Sequence, residues 1–179
     1  MKKSLKIKIQ KIKNHKYRPK DFIIADAKDG DLAMGITTPG PIRNSKGEIS
    51  KGYKKLNDYK KSMMAMTKSK LVDIILMSAS VGESLIQKKL FKDSSVTPAI
   101  RMNDTSDIWL MRNGNYRATN PRPFRSARIE AVNKLVNLGL FSVTFSKNVD
   151  FDLAMLNAYR DFRIEAVKYR FDHFLEIFN

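Results

Sequence analysis

The sequence predicts an α/β fold in which parallel strands alternate with helices. Two observations support this. Apolar runs of strand length recur along the chain, for example LVDIILMSA at Leu71 to Ala79 and LFSVTF at Leu140 to Phe145, and stretches with helical spacing of apolar residues separate them. Such alternation is typical of βαβ units and a parallel sheet. A length of 179 residues, with 42% hydrophobic and 29% charged residues, suits one globular domain.

Residues 1–20 are predicted to be a basic N-terminal arm that precedes a domain spanning residues 21–179. Leu5, Ile7 and Ile9 alternate with lysines, which is the period-2 pattern of a short strand or an extended arm. Residues 2–20 hold nine basic side chains and no acid, within a chain whose net charge is +16. This excess makes nucleic acid or another polyanion a candidate partner. The alternative is solvated lysine-rich helix faces, which the spread of charge along the chain favours.

The segment Phe22 to Pro41, FIIADAKDGDLAMGITTPGP, is predicted to contain the first strand and a functional loop. The apolar run Phe22 to Ala25 is long enough for one buried strand, and it breaks at Asp26 into a loop that contains Lys28. Glycines and prolines predict about ten residues of irregular backbone after the strand. Buried strands that end in charged loops are common ligand sites in α/β proteins. The alternative is that Asp26 simply ends the strand.

The middle of the chain continues the alternation. A helix is predicted from Tyr53 to about Ser69, with Tyr59 on its apolar stripe, and Leu71 to Ala79 is predicted to be a strand that is covered on both faces. The next helix begins at Ser80, which has capping-box spacing to Glu83. The third strand candidate, Thr97 to Met102, opens into a long loop over residues 103–123.

The last third of the chain supplies two more helices and two more strands. The helices are predicted over Phe124 to Leu138, with Gly139 as the C-terminal cap, and over Asp150 to Tyr169. The strands are Leu140 to Phe145 and His173 to Phe178. Five predicted strands fit either a five-stranded doubly wound sheet or the first part of a (β/α)8 barrel.

In either architecture, the carboxyl ends of parallel strands lie at one edge and supply the ligand-facing side chains. The side chains predicted at this edge include both carboxylates and cations, which suits a small polar or anionic ligand. Arg101 is the best candidate for gripping an anion, and pairing of Arg101 with Asp104 or Glu176 is the alternative. The predicted rim consists of Asp26, Lys28, Ser78, Ser80, Arg101, Asn103, Asp104, Ser146, Lys147 and Glu176.

No cofactor and no metal site are predicted. The chain lacks cysteine and has only His15 and His173, so thiolate and all-histidine metal sites are not expected. Asp26 with Glu176 could help to hold a divalent cation, although isolated carboxylates more often form salt bridges. No membrane span and no signal peptide are recognised, and a cytoplasmic location is expected.

Five motifs in this order resemble the bacterial and archaeal class I fructose-bisphosphate aldolases, within the deoxyribose-phosphate aldolase superfamily. They are FIIADAKDG with GITTPGP, VDIILMSAS, TPAIRMND, EAVNKLVNLG with LFSVTFS, and HFLEIFN, and together they span roughly residues 21–179. The resemblance implies a partial aldolase-type barrel. It also implies that Asp26, or Asp29 if the register shifts, assists proton transfer.

The same resemblance implies that a lysine on a later strand, beyond this chain, forms a Schiff base with the substrate. Phe178 stands where the family places a tyrosine. Lys28 and Lys147 follow the first and fourth strands, so they are the lysines of this chain that could face the same mouth. The predicted catalytic residues are Asp26, Lys28 and Lys147, and the predicted substrate-binding residues are Arg101, Asp104, Ser146 and Glu176.

The leading functional hypothesis is therefore an aldolase-like carbon-carbon lyase that acts on a small oxo or phosphorylated substrate and is incomplete as this chain alone. The first alternative is a non-enzymatic basic protein that binds nucleic acid through residues 2–20 and an arginine-rich loop. The second alternative is an assembly subunit whose open sheet edges are covered by another copy or by a complementary barrel fragment. The loop residues concerned are Trp109, Arg112, Tyr116, Arg117, Arg122, Arg125 and Arg128.

Overall fold

The computed structural model describes residues 1–103, 123–125 and 127–178. The described strands are β1 (Ala25–Lys28), β2 (Pro41–Arg43), β3 (Ile49–Tyr53), β4 (Ile74–Met77), β5 (Thr97–Arg101), β6 (Leu138–Thr144) and β7 (Asp172–Phe178). The described helices are α1 (Ser4–Lys13), α2 (Asp31–Met34), α3 (Leu56–Ser69), α4 (Ala79–Gln87), α5 (Ile129–Val132) and α6 (Val149–Tyr169), with 3-10 turns at Pro19–Asp21 and Gly35–Thr37. None of these helices has the length and apolarity needed to cross a membrane.

Five strands form one parallel sheet in the order β1-β4-β5-β6-β7, and β2 pairs with β3 in a separate antiparallel hairpin. The sheet order follows the chain order. A doubly wound sheet instead reverses its strand order at a switch point. The prediction of an α/β fold consistent with a partial βα barrel is therefore confirmed. The predicted boundary between a basic arm and a barrel domain stays a prediction.

Two compact units divide the chain, Met1–Pro98 and Ala99–Asn179. In the first unit, all four residues of β4 are buried, and β1 pairs with β4 from Ala25 opposite Ile74 to Lys28 opposite Met77. The predicted first strand is misplaced. Strand β1 begins at Ala25, and Phe22, which was predicted to be in the strand, is 63% exposed. The position of β1 is set by its pairing with β4 and not by the apolar run.

The strand predicted at Leu5 to Ile9 is wrong, because these residues belong to helix α1. Lysine is a good helix former, and five alternating residues are too few to exclude a helix. No residue of α1 is buried. Instead, lysine side chains attach the helix to the rest of the unit: Lys8 Nζ lies 2.6 Å from Asp73 Oδ2 and 2.8 Å from the carbonyl oxygen of Phe22.

Two further details of this unit differ from prediction. The stretch after β1 is not irregular throughout, since it contains helix α2 and leads into the β2–β3 hairpin. The turn of this hairpin is held by the Asn44 side chain, which accepts hydrogen bonds from the backbone N–H groups of Lys46 and Glu48. Helix α4 starts at Ala79, and its N-cap is Ser78, whose hydroxyl accepts from the Val81 N–H. The Ser80 capping box is therefore wrong.

In the second unit, β6 pairs in parallel with β5 and along its whole length with β7. Helix α6 packs on this part of the sheet through Met155, Phe162 and Ala166, which are buried. The helix predicted over Phe124 to Leu138 is reduced to the single turn α5. A turn at residues 133–135 follows it, so the predicted helix does not continue into Leu138.

Gly139 lies inside β6 and is not a helix cap. A Cβ atom at this position would lie 2.6 Å from the Cγ of Met102 and 2.7 Å from the Cε1 of Phe171. Real Cβ atoms do not approach other heavy atoms that closely. Glycine is therefore required here by the close packing of two buried side chains against the strand.

We predict that Gly139→Ala destabilises the protein by about 1–3 kcal/mol, because overpacked cores must shift side chains or backbone. Urea denaturation followed by circular dichroism measures the change. The control is Gly30→Ala, whose added methyl group meets its nearest neighbour, Thr38, at an ordinary 3.4 Å. Equal stability of the two variants would contradict the packing explanation.

A second prediction concerns Asp73, which is 3% exposed and joins α1 to the start of β4. Burial alone would raise the pKa of its carboxyl, but hydrogen bonds from Lys8 and from the Ile24 N–H outweigh burial, so the pKa is lowered. A lowered pKa gives stability that is present above about pH 4 and is lost on acidification below it. We expect Asp73→Asn to cost about 2 kcal/mol at pH 7 and to weaken the acid dependence of stability.

Urea melts at pH 7 and pH 3 test this expectation. Asp93→Asn is the control, since Asp93 is exposed and its substitution should change stability by less than about 0.5 kcal/mol. An Asp73→Asn variant with the same acid dependence as the unmodified protein would contradict the assignment.

Candidate active site at the strand ends

Strands β1 and β4 end level with each other because Lys28 pairs with Met77. The side chains that follow the two strands therefore emerge together. Asp31, the first residue of α2, accepts a hydrogen bond from the Ser78 hydroxyl at 2.6 Å. We call the group formed by Asp26, Lys28, Asp29, Asp31, Tyr59 and Ser78 the strand-end cluster.

Asp26 and Lys28 are two residues apart on β1, so their side chains lie on the same face of the strand. Lys28 Nζ is 3.0 Å from Asp26 Oδ1. The other carboxylate oxygen, Asp26 Oδ2, is buried and accepts no hydrogen bond from the described residues. A buried acceptor without a donor costs roughly 1–3 kcal/mol, which a ligand hydroxyl could recover.

Asp31 repeats this arrangement. Its Oδ2 accepts from Ser78, while its Oδ1 is buried and, within the described part of the chain, has no donor. Burial and the nearby charge of Asp29 raise the pKa of the Asp31 carboxyl, and the Ser78 hydrogen bond and the charge of Lys60 only partly oppose this. Asp31 is therefore easier to protonate than an ordinary aspartate.

Tyr59, on helix α3, brings a hydroxyl to these carboxylates. Burial, followed by the negative charges of Asp31 and Asp29, raises the pKa of Tyr59 to about 12. The phenol therefore stays neutral and can donate a hydrogen bond across the physiological range. The sequence pattern predicted Tyr59 only as part of an apolar stripe and did not indicate that its hydroxyl lies near carboxylates. The residue type could have indicated it, since a half-buried tyrosine needs a hydrogen-bond partner for its hydroxyl.

In the second unit, the predicted anion-binding residue Arg101 has protein partners. Its guanidinium donates to the Ser142 hydroxyl at 2.7 Å and lies 3.4 Å from Glu176 Oε2. Ser142 also donates to Glu176 at 2.7 Å. Arg101 pairs with Glu176, as the alternative interpretation expected, and the substrate-binding role of both residues stays a prediction.

The backbone of Ser142 is held by Asn103, which follows β5. The Asn103 side-chain amide donates to the Ser142 carbonyl oxygen and accepts from the Ser142 N–H, both at 2.8 Å. This buried side chain thus continues the hydrogen-bonding pattern of β5 beyond its end. Asp104, the next predicted binding residue, lies outside the described residues, as do Trp109, Arg112, Tyr116, Arg117 and Arg122 of the arginine-rich loop.

Ser146 and Lys147 form the turn between β6 and α6. The Ser146 N–H and hydroxyl both donate to Asp152 Oδ1, at 2.8 and 3.2 Å, which fixes the turn. Lys147 is exposed and has a φ of 62°, a conformation that costs a non-glycine residue roughly 1–3 kcal/mol.

Lys147 differs from the other left-handed, non-glycine residues of the described chain, because it precedes a helix whereas they follow helix ends. Those four residues are His15, Lys70, Lys89 and Arg170. Strain of this kind often accompanies function. Whether Lys147 and Lys28 face one mouth stays a prediction.

No group of three or more metal-ligating side chains occurs among the residues that the structure describes. The strand-end cluster contains groups suited to hydrogen bonding and proton transfer. Its carboxylates can accept protons or hydroxyl groups, its phenol can donate, and its one amine can act as a nucleophile when deprotonated.

We predict that Tyr59 contributes a step near pH 12 to the ultraviolet titration of the tyrosines. The difference between the titrations of the unmodified protein and the Tyr59→Phe variant should show one phenol with a pKa of about 12. Asp31→Asn should lower that value, because it removes the leading negative charge beside the hydroxyl. A difference curve centred near 10, the ordinary tyrosine pKa, would show that Tyr59 is not enclosed as described.

Comparison with protein-family models, with curated proteins and with solved structures gives no match for this chain. The structure itself establishes a five-stranded parallel sheet with alternating helices. The aldolase resemblance rests on the sequence motifs alone.

Proposed function

We propose that the strand-end cluster is the active site of an aldolase-like carbon-carbon lyase of the Schiff-base class. The proposed substrate is a small oxo compound, with or without a phosphate group. The observation that carries the proposal is the arrangement of Asp26, which holds the Lys28 amine with one oxygen and keeps its other oxygen buried without a donor among the described residues.

This arrangement suits the first half of the reaction. The Lys28 ammonium must lose a proton before its nitrogen can attack a carbonyl carbon, and Asp26 at 3.0 Å is close enough to take that proton. Attack gives a carbinolamine. The protonated Asp26 can then return the proton to the carbinolamine hydroxyl, which leaves as water and produces an iminium ion.

Carbon-carbon cleavage needs a base for the hydroxyl group two carbons from the iminium carbon. A buried carboxylate oxygen of Asp26 or Asp31 can accept that proton. The bonding electrons then move into the iminium ion and form an enamine, while the aldehyde product departs. The aldolase resemblance implies a tyrosine hydroxyl at position 178, where this chain has phenylalanine. In the proposed site, Tyr59 supplies a neutral hydroxyl instead.

Borohydride trapping tests the proposal. We expect the chain, incubated with dihydroxyacetone or dihydroxyacetone phosphate and then reduced, to carry one covalent adduct, and peptide mapping should place it on Lys28. Lys28→Arg should abolish the adduct, since a guanidinium does not form this bond. Asp26→Asn should slow its formation roughly a hundredfold, because general acid–base assistance is lost.

Lys134→Arg is the matched control, because Lys134 is exposed and belongs to the turn after α5 instead of a strand end. An adduct on Lys147 alone would contradict the assignment of the amine role to Lys28. Labelling spread over exposed lysines, unchanged by Lys28→Arg or Asp26→Asn, would overturn the proposed function.

A further inference from the structure

Three of the nine basic side chains in residues 2–20 form hydrogen bonds or ion pairs within the protein, namely Lys3, Lys8 and Lys11. Lys8 pairs with Asp73, and Lys11 Nζ lies 2.6 Å from Asp21 Oδ1. These contacts, together with those of Lys3, hold helix α1 in place without buried apolar residues.

Lys3, just before α1, is held by three backbone carbonyl groups. It donates to the carbonyl oxygens of Phe91, Ser94 and Val96 at 2.8, 3.0 and 2.9 Å. Burial lowers the pKa of Lys3. The three carbonyl groups anchor the N-terminal end of α1, so the helix has a defined position from which its outer side chains project.

The other six basic side chains of this segment are exposed, and none takes part in an ion pair with the described residues. They are Lys2, Lys6, Lys13, Lys16, Arg18 and Lys20. Lys6 and Lys13 are seven residues apart, so they lie on one face of α1 with about 10 Å between them along the axis. This exposed face of the helix therefore carries two cations, with the exposed Ile9 between them.

A groove of about 560 Å³ runs beside this face. Lys2, Lys6 and Lys16 contribute exposed cations to its lining, Ile7 contributes apolar surface, and no acidic side chain of the described residues lines it.

Two aromatic side chains that follow α1 in the chain are also exposed, Tyr17 by 61% and Phe22 by 63%. Tyr17 directly follows Lys16 of the groove lining, and the backbone carbonyl of Phe22 accepts from Lys8 of α1. Cations along a groove, together with exposed aromatic rings, are features that proteins use to bind single-stranded nucleic acid.

We propose that the α1 groove binds single-stranded nucleic acid, with its lysines on the phosphates and Tyr17 and Phe22 stacking on bases. A membrane surface is less favoured by the same geometry. A helix that lies in a bilayer interface presents a continuous apolar face to the lipid, whereas the exposed Ile9 of α1 stands between the exposed Lys6 and Lys13. This inference is independent of the chemistry proposed for the strand-end cluster.

Fluorescence anisotropy with a labelled 20-mer of thymidine or uridine tests the proposal over a series of salt concentrations. Changing four lysines of the groove and of the exposed face of α1 to glutamine should weaken binding at least tenfold. It should also make the slope of log K against log salt shallower by about 3, since each neutralised phosphate contributes about 0.7. The four substitutions are Lys2→Gln, Lys6→Gln, Lys13→Gln and Lys16→Gln.

The matched control removes the same charge from the β2–β3 hairpin region, through Lys46→Gln, Lys51→Gln, Lys54→Gln and Lys55→Gln, all at exposed positions. It should leave most of the affinity intact. Circular dichroism melts establish that both variants remain folded. Equal loss of affinity in the two variants would overturn the proposal, because binding would then reflect net charge alone.

Stacking is tested separately with Tyr17→Ala and Phe22→Ala. Each should weaken oligonucleotide binding roughly tenfold and leave heparin binding unchanged, because heparin has no bases to stack. Unchanged oligonucleotide binding in both variants would overturn the proposal. So would binding to phosphatidylglycerol vesicles without binding to the oligonucleotide, which would identify a lipid surface as the partner.

Discussion

The buried strand β4 is the element on which the N-terminal unit depends. All four of its residues are buried, and a polar residue stands close to each of its ends: Asp73 before it and Ser78 after it, 3% and 0% exposed. Buried polar side chains need partners. Asp73 finds them in Lys8 and the Ile24 N–H, which fix α1 and the start of β1, while Ser78 finds one in Asp31 and fixes α2. The anchoring of the basic helix and the assembly of the strand-end cluster are thus consequences of burying one strand.

The carboxylates of the strand-end cluster and the Arg101 network differ in how completely they are paired. In the second unit, Ser142 links Arg101 to Glu176, so an incoming anion would have to displace contacts that the guanidinium already makes. In the first unit, Asp26 and Asp31 each keep one buried oxygen without a donor among the described residues. A protein gains nothing in stability from such oxygens. Their presence favours the strand-end cluster over the Arg101 network as the place where a ligand supplies the missing hydrogen bonds.

The sequence was most informative where apolar runs of strand length alternate with helices. The run Ile74 to Met77 can only be a covered strand or helix, and its length decides for a strand. Strands β5 to β7 were also predicted close to their observed positions, although β5 is only partly buried and no residue of β7 is buried. The sequence was least informative where polar contacts decide the structure. Helix α1 is held by lysines bonded to distant groups, the start of β1 is set by pairing with β4, and the environment of Tyr59 comes from carboxylates far earlier in the chain. No local pattern carries those long-range pairings.

The excess of positive charge shows why composition alone is a weak guide to binding. Nine basic side chains in residues 2–20 suggested a polyanion surface, but Lys3, Lys8 and Lys11 serve the fold, and their removal would loosen the helix as well as reduce its charge. The remaining cations project from a helix that those three hold in place. A disordered basic tail would bind a polyanion mainly through charge, whereas an anchored helix also fixes where each ammonium stands relative to the aromatic rings. Any selectivity of this surface for stacked bases over other polyanions must come from that fixed geometry.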